Sequence, residues 1–316
     1  MAAGRRDRID GAGAAGLGGL AVLFATNQIA ISFAIEGFEP AFAATIRSIL
    51  AAALVGLWIV ARGGRIAPPP GMGMLAFGLG AGFAAEFLCL FLALDRTTVP
   101  RATIMLYSMP VWFALIAHVA LPAEKITPRR AAGLALAFAG MALALAGKPG
   151  SAVPGSLAGD LLAVAAALGW AGLTFLARRA GAGGMSAEVQ LFWMLSGSIP
   201  FLGLAAIIAG EPLRDLGPGA MAALGYQSVV VAAAGFVMWF RLLARYPASS
   251  VAAFSLLTPI LAVALGWAVL GDPVGPEVIG AGALVVVGLV FVNSTGAGRA
   301  GSRAGAVSGQ AGTPDQ

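Results

Sequence analysis

Long apolar stretches follow one another along almost the whole chain and are separated only by short polar joints. A helix needs about 20 predominantly apolar residues to cross a hydrocarbon core of about 30 Å. Ten stretches meet that length, at residues 14–33, 39–60, 71–94, 99–120, 129–147, 158–177, 187–209, 218–240, 248–270 and 274–293. The sequence therefore predicts an all-α integral membrane protein with ten transmembrane helices.

Composition supports this prediction and excludes other classes of protein. Hydrophobic residues make up 59% of the chain and charged residues only 10%, and the mean hydropathy is +0.90, well outside the range of soluble domains. The net charge of +5 does not indicate nucleic-acid binding, because the basic residues form no clustered face. A single cysteine, Cys89, excludes an intrachain disulfide and a cysteine-rich metal site.

The distribution of basic residues predicts the orientation, because Lys and Arg accumulate in cytoplasmic loops. If the amino terminus is cytoplasmic, most of them fall inside: Arg5, Arg6, Arg8, Arg62, Arg65, Lys125, Arg129, Arg130, Arg178, Arg179, Arg241, Arg245, Arg299 and Arg303. Outside fall only Arg96, Arg101, Lys148 and Arg214, while Arg47 lies within a span. We therefore expect a multi-pass protein of the inner (plasma) membrane with both termini in the cytoplasm.

The chain divides into two similar halves. Residues 14–147 and 158–293 each hold five spans, and the Gly- and Pro-rich segment 148–157 links them. Residues 1–13 and 294–316 are expected to be disordered cytoplasmic ends.

Matching positions in the halves support a repeat: Pro110 aligns with Pro259, Arg96 with Arg245, Gly140 with Gly288, and residues 16–27 with residues 159–170. Because five is odd, the second copy enters the membrane from the opposite side. This inverted repeat is typical of secondary transporters, with the substrate site near the midplane between the halves.

These features resemble the drug/metabolite transporter superfamily and, within it, the EamA-like transporter family. The resemblance rests on ten spans in two copies, on Arg47 in the second span, and on the mid-helix prolines that precede acidic loops at Glu124 and Asp272. It implies an inner-membrane carrier, commonly an exporter of amino acids or related metabolites, working by alternating access. Asp272 stands where the family commonly has glutamate.

Arg47 and Glu86 are the main candidate site residues, since a charged side chain inside the bilayer is costly. At the helical rise both lie roughly 12 Å from the outer face, on consecutive spans. In one interpretation they form a buried ion pair that only neutralises two charges. In the other, Arg47 binds a substrate carboxylate through its planar donor fork, and Glu86 balances Arg47 in the empty site and is the candidate proton carrier.

Further polar and aromatic residues are predicted to line the substrate pathway. In the first half these are Asn27, Gln28 and Tyr107, and in the second half Trp170, Trp193, Tyr226, Gln227, Ser255 and Thr258. For each of them, ordinary packing or hydrogen bonding between helices is the competing interpretation. Pro110 and Pro259 are predicted to kink their spans, either as hinges or as fixed bends.

No enzymatic or cofactor motif is present. The single histidine, His118, has no HExxH frame, and the chain has neither a GxSxG elbow nor a Walker A lysine. We expect no catalytic residue, metal or cofactor, and as partners a small-molecule substrate and the lipid bilayer. The residue types allow proton coupling without requiring it, and the oligomeric state is not predicted.

The predicted function is export of a small polar metabolite, with an amino acid first because Arg47 suits a carboxylate. Uptake or exchange of a phosphorylated metabolite or nucleotide sugar is the alternative within transport. A membrane scaffold that transports nothing is the alternative from another class, and a dry, fully packed midplane would favour it.

Overall fold

The computed structural model describes residues 10–120, 126–146, 156–246 and 257–293. Within these ranges the chain is helical, with segments α1 Gly11–Gly37, α2 Pro40–Ala61, α3 Gly73–Leu94, α4 Val99–Leu106, α5 Met109–Ala120, α6 Pro128–Ala146, α7 Leu157–Ala182, α8 Ala187–Ala209, α9 Pro218–Tyr226, π1 Gln227–Gly235, α10 Phe236–Arg245, α11 Leu257–Leu265, π2 Gly266–Leu270 and α12 Pro276–Asn293. The predictions for Glu124, Lys125, Ser255, the chain ends and most of the linker lie outside the described residues.

Among the residues that the structure describes, seven helices are long and apolar enough to cross a membrane. They are Gly11–Gly37, Pro40–Ala61, Gly73–Leu94, Val99–Ala120, Leu157–Ala182, Ala187–Ala209 and Pro218–Trp239. Two shorter apolar helices occupy Leu257–Leu270 and Pro276–Phe291. The prediction of an all-α membrane protein is confirmed at this level, and the count of ten spans stays a prediction.

Side-chain caps fix where four of the long helices begin. Asp10 and Glu39 accept hydrogen bonds from backbone N–H groups three residues later, at 2.8 Å in both cases. Ser156 and Ser186 do the same for α7 and α8, at 3.0 and 3.4 Å. Such residues satisfy N–H groups that the first turn of a helix leaves without a partner.

The fourth span is interrupted at Tyr107 and Ser108, between α4 and α5. The Ser108 hydroxyl donates to the Met105 carbonyl at 2.5 Å and accepts from the Trp112 indole at 3.0 Å. Pro110 follows as the second residue of α5, a position that proline tolerates because the first turn leaves its N–H groups free. The helix is therefore interrupted just before Pro110, and Ser108 forms local hydrogen bonds at the break.

Two π-helical segments interrupt the second half. One covers Gln227–Gly235 within the apolar helix Pro218–Trp239, and the other covers Gly266–Leu270 within the shorter helix Leu257–Leu270. Pro259 is the third residue of α11, which leads into the second of these segments. Such wider turns occur frequently at functional sites.

The two halves pack into one bundle through reciprocal contacts. α3 packs on α7 as α1 packs on α9 and π1, α4 packs on α7 as α1 packs on α11, and α2 pairs with α8. In the pair of α6 and α12, a Cβ at Gly140 would lie 2.7 Å from the Ala281 carbonyl oxygen, and one at Gly288 would lie 2.6 Å from that of Gly133. Glycine at both sites therefore permits an equivalent close approach of the two helices.

The ends of the bundle are named here after one residue each. At the Asp95 end, α3 finishes and α4 and α7 begin, and Glu39 donates its backbone N–H to the Pro212 carbonyl at 3.0 Å. At the Arg62 end, α2 finishes and α8 begins. The spans run between these two ends.

Candidate functional site

Arg47 lies inside the bundle on α2 and is completely buried, with 0% of its surface exposed. Its guanidinium carbon sits 4.0 Å from the centre of the Phe87 ring and 5.8 Å from that of Phe83. Both rings belong to α3 and lie 4.4 Å apart, centre to centre. The aromatic faces attract the cation and hold the guanidinium plane, but they accept no conventional hydrogen bond from its edge.

All three guanidinium nitrogens of Arg47 lack a hydrogen-bond partner. Burying a charge is costly unless it is paired and hydrogen-bonded. A side chain with five N–H donors at this depth is therefore the least satisfied group of the described interior. This arrangement is suited to a ligand that brings acceptor oxygens.

Glu86 lies on α3 in the same region, with 6% of its surface exposed. Arg47 and Glu86 attract each other electrostatically, although the guanidinium nitrogens form no hydrogen bond. The backbone of Glu86 is pressed against α7, because a Cβ at Gly169 would lie 3.2 Å from the Glu86 Cα. The Glu86 carboxylate thus attracts the Arg47 guanidinium electrostatically, without a hydrogen bond between them.

Amide oxygens without partners form a second feature of this interior. The side-chain oxygens of Asn27, Gln28 and Gln227 are buried and accept no hydrogen bond, and the hydroxyl of Thr103 is in the same condition. The Gln227 amide nitrogen donates to the Ala30 carbonyl at 2.9 Å, which joins π1 to α1. The fully buried amide atoms that lack a partner in these three side chains are thus all acceptor oxygens.

Three residues that the sequence predicts to line the pathway lie in contact, namely Tyr107, Trp170 and Thr258. The rings of Tyr107 and Trp170 meet edge to face with centres 5.8 Å apart, and the Tyr107 hydroxyl interacts with that of Thr258. These contacts join the interrupted fourth span to α7 and α11. Trp170 follows Gly169, which contacts Glu86.

Tyr226 lies at the junction of α9 and π1. Its hydroxyl shares a hydrogen bond of 2.7 Å with that of Thr26 on α1, one residue before Asn27. Tyr226 and Gln227 therefore bind the same stretch of α1 that carries the unsatisfied amides.

Trp193 lies at the Arg62 end, apart from these groups. Its indole N–H donates to the Ile66 carbonyl, in the loop after α2, at 2.8 Å. Gln190, one turn earlier on α8, donates to the Met185 carbonyl at 2.9 Å. Both side chains thus bind backbone near the ends of helices.

Four site residues were not singled out from the sequence. Phe83 and Phe87 form the aromatic platform for Arg47, and the hydroxyls of Ser48 and Ser198 share a hydrogen bond of 3.1 Å beside it. The two phenylalanines are four residues apart and flank Glu86, so they share a helix face. That spacing was the available signal, whereas nothing local links Ser48 to Ser198.

A cleft of about 630 Å³ opens at the Asp95 end. Ser32, Glu36, Arg96 and Asp272 line it, and Ser32 lies one helical turn from Gln28. Burial raises the pKa of Asp272, although the backbone N–H of Val99, which donates to this carboxylate at 3.0 Å, acts in the opposite direction. The cleft therefore carries both signs of charge.

Arg214 closes one wall of the cleft. It donates to both carboxylate oxygens of Asp95, at 2.5 and 3.2 Å, and to the Ile35 carbonyl at 3.0 Å. The bond to Asp95 raises the pKa of Arg214. Arg101 pairs with Asp160 nearby, through two nitrogens, and Thr97 donates to the same carboxylate at 2.8 Å.

Comparison with protein families decides the class of the protein. The model of the EamA-like transporter family matches residues 12–146 and again residues 157–294. The chain belongs to the EamA-like transporter family. The double match also agrees with the two halves predicted from the sequence.

Curated relatives of this chain are described as transporters. An uncharacterized transporter of Archaeoglobus fulgidus is 26% identical over 76% of this chain and 82% of its own length. A probable amino-acid metabolite efflux pump of Salmonella typhimurium is 25% identical over 87% and 92%. A probable terminal-alkyne amino-acid exporter of Streptantibioticus cattleyicolor is 31% identical over 63% and 65%.

A solved crystal structure shares the fold. It covers 90% of this chain and 96% of its own length with a TM-score of 0.61 and 22% sequence identity. At that identity the similarity concerns the fold alone.

Proposed function

We propose that the protein is a secondary transporter of the plasma membrane that exports amino acids or related small polar metabolites by alternating access. The observation that carries this proposal is Arg47, completely buried and with all three guanidinium nitrogens free of hydrogen-bond partners. An intramembrane ionisable residue is a functional candidate. The described residues supply no hydrogen-bond acceptor for the guanidinium group of Arg47.

The free groups match the two ends of an amino acid. The guanidinium edge of Arg47 would bind the carboxylate, which it fits through two parallel hydrogen bonds. The free oxygens of Asn27, Gln28 and Gln227 would accept hydrogen bonds from the ammonium group. Donors and acceptors would thus be satisfied together when the substrate binds.

The proposed architecture is ten spans in two inverted five-helix repeats, with both termini cytoplasmic. The paired contacts of Gly140 with Ala281 and of Gly288 with Gly133 support a two-fold relation between the halves. In this orientation the Asp95 end faces outward, and its cleft reaches Ser32, one turn from Gln28. The cleft would be the outer part of the pathway.

The relatives support amino acids over phosphorylated solutes. Two of them are described as a probable amino-acid exporter and a probable amino-acid metabolite efflux pump. Among the residues that the structure describes, Arg47 is the one basic side chain that is buried. A doubly charged phosphate would need further cations to offset its desolvation.

Efflux from proteoliposomes tests the proposal. Vesicles loaded with mixed amino acids, nucleobases, sugars and phosphorylated metabolites would be assayed by mass spectrometry, with and without a proton gradient. We expect selective loss of amino acids. Selective loss of phosphorylated solutes would support a carrier of phosphorylated metabolites. Retention of all solutes in vesicles that contain folded, inserted protein would favour a scaffold.

Glu86 is the proposed proton carrier, since it lies buried beside Arg47 and makes no hydrogen bond to it. The variant Glu86→Gln keeps the size of the side chain and removes its charge. We expect exchange of substrate across the membrane to persist while gradient-driven efflux disappears. Unchanged dependence on the proton gradient would exclude this role for Glu86 and leave the role of Arg47 intact.

A further inference from the structure

Two arginines from opposite halves of the chain meet on one tryptophan at the Arg62 end. The guanidinium carbon of Arg62, at the end of α2, lies 4.8 Å from the centre of the Trp58 ring, and that of Arg241, on α10, lies 5.4 Å from it. Stacking on the ring positions both cations but leaves their charges uncompensated. This cluster of Trp58, Arg62 and Arg241 takes no part in the proposed transport site.

The cluster is held in place on both sides. Gly63, with φ of +72°, ends α2 after Arg62, and the N–H of Gly64 returns to the Ile59 carbonyl at 2.9 Å. The hydrogen bond from Trp193 to the Ile66 carbonyl anchors the loop that follows. Arg62 is thus presented by a defined helix end.

No carboxylate neutralises the cluster within the described part of the chain. Two ion pairs, of Arg101 with Asp160 and of Arg214 with Asp95, lie at the opposite end, and neither Arg62 nor Arg241 takes part in them. Glu188, which begins α8 at the Arg62 end, pairs with neither Arg62 nor Arg241. The two cations are therefore available to an anion from outside the chain.

The position of the cluster indicates the source of that anion. Trp58 lies three residues before the end of α2, a depth typical of tryptophan at the membrane interface. Leu54 and Leu57, which precede Trp58 on α2, expose their apolar side chains, and Leu57 is 68% exposed. A ligand with a phosphate at the level of the arginines and hydrocarbon along α2 would satisfy both surfaces.

We propose that the cluster of Trp58, Arg62 and Arg241 binds the phosphate of an anionic phospholipid and thereby bridges the two halves of the protein. Basic pockets between transmembrane helices bind such headgroups, and each arginine near an anionic surface contributes about 1 kcal/mol. Arginine also binds phosphate oxygens in a bidentate manner. The inference does not depend on the transported solute.

Native mass spectrometry of the full-length protein in detergent tests this proposal. The probes are phosphatidylglycerol and phosphatidylcholine with the same acyl chains, added together. With about 1 kcal/mol from each of the two arginines, we expect phosphatidylglycerol to be preferred about thirtyfold in the wild type and the preference to fall to near one in the variant R62Q/R241Q. The matched control is Arg179→Gln, since Arg179 is a single arginine stacked on Phe175 of its own helix, 5.2 Å from the ring centre.

Three results would overturn the proposal: an equal preference in R62Q/R241Q and the wild type, the same loss in Arg179→Gln, or displacement of the lipid by millimolar inorganic phosphate. If the double variant does not fold, the single variant Arg241→Gln gives the readout, and an unchanged preference there counts against the site. Thermal unfolding monitored by circular dichroism gives a second measurement. Phosphatidylglycerol should raise the midpoint of the wild type more than that of the variant.

Discussion

Arg47 and Arg101 show how differently the same side chain is held in two regions of this protein. At the Asp95 end, Arg101 meets a fully buried Asp160 through two nitrogens, and Thr97 completes the shell of that carboxylate. In the middle of the bundle, Arg47 is more deeply buried and has aromatic rings but no acceptor. The chain therefore supplies a hydrogen-bonded carboxylate for one arginine and no hydrogen-bond acceptor for the other.

The difference separates a structural arginine from a ligand-binding one. A buried ion pair with all its hydrogen bonds made is self-sufficient, and removing one partner leaves an unpaired charge. An arginine without acceptors already has the unfavourable free energy of an unpaired buried charge in the folded protein. Loss of Arg101's partner should therefore affect stability, whereas loss of Arg47 should affect binding.

Replacing Arg47 gives the largest expected effect. In Arg47→Gln, efflux should fall at least about 100-fold, because a charge-assisted contact of about 3 kcal/mol is lost and each 1.4 kcal/mol corresponds to a factor of ten. Arg47→Lys should also fail, since an ammonium lacks the planar fork. Efflux from proteoliposomes measures this loss.

Arg47→Gln should unfold at a midpoint no lower than that of the wild type, because it removes a buried charge that has no hydrogen-bond partner. Arg179→Gln, at an exposed single arginine, is the control for both measurements. Wild-type transport by Arg47→Lys would contradict the bidentate role, and a large loss of stability in Arg47→Gln would make Arg47 a structural residue.

Asp160→Asn tests the other side of the comparison. We expect a loss of about 2 to 3 kcal/mol in the free energy of unfolding, because Arg101 would keep its charge without a counterion. The loss is at the low end for a buried pair since Arg101 is 17% exposed. Thr97→Val, which removes only the hydrogen bond to the same carboxylate, should cost about 1 kcal/mol. Denaturant titration in detergent provides the measurement.

In the Asp160→Asn protein that remains folded, the substrate concentration for half-maximal efflux should match that of the wild type. A large change in that concentration, with stability unaffected, would remove the distinction between the two arginines.

The exposed pair of Arg214 and Asp95 should matter less than the buried pair. Its side chains are 39% and 21% exposed, and such pairs contribute about 0.2 to 1 kcal/mol. Asp95→Asn should therefore lower stability by about 0.5 kcal/mol, and the effect should shrink at high salt because salt screens exposed charges. Unfolding midpoints at low and high salt measure it, and a loss as large as that of Asp160→Asn would be the contrary result.

Asp272→Asn should give the smallest effect, and a favourable one. Because burial raises the pKa of Asp272 in the folded state, its protonated form favours folding, and that contribution is lost as pH rises through the folded pKa. Asparagine keeps an acceptor for the Val99 N–H and does not ionise. Stability should rise slightly at pH 7, by less than about 1 kcal/mol since the group is partly exposed, and should be nearly unchanged at pH 3.

Pairs of midpoints for wild type and Asp272→Asn across this pH range measure the effect. A lower stability of the variant at pH 7 would contradict this prediction. It would show that the charge of Asp272 is needed, for example to accept the hydrogen bond from the Val99 N–H.

Parts of the site follow from local sequence. Because an ionisable residue inside an apolar stretch is rare, Arg47 and Glu86 were identifiable without a structure, and the helical rise predicted their common depth. Asn27 and Gln28 were identifiable as polar amide side chains within an apolar stretch. The kink at Pro110 stays a prediction, and the interruption of the helix at Tyr107 and Ser108, with the hydrogen bonds of Ser108 and Trp112, was not predicted.

Other parts depend on contacts between distant residues. The stacking of Arg47 on Phe87 and the meeting of Arg62 and Arg241 on Trp58 join different helices, and helix periodicity gives no rotation of one span against another. The π-helical segments were not predicted either, because apolar stretches of this kind read alike in either helical form.

By itself, the sequence determined that this protein is a helical membrane protein of two similar halves, since hydrophobic length and repeated positions are local properties of the chain. It also determined which charges had to enter the bilayer. The tertiary structure alone decided that Arg101 donates two hydrogen bonds to Asp160, whereas the guanidinium nitrogens of Arg47 have no hydrogen-bond partner. That difference depends on which side chains from remote helices arrive at each guanidinium group, and packing of the whole bundle fixes it.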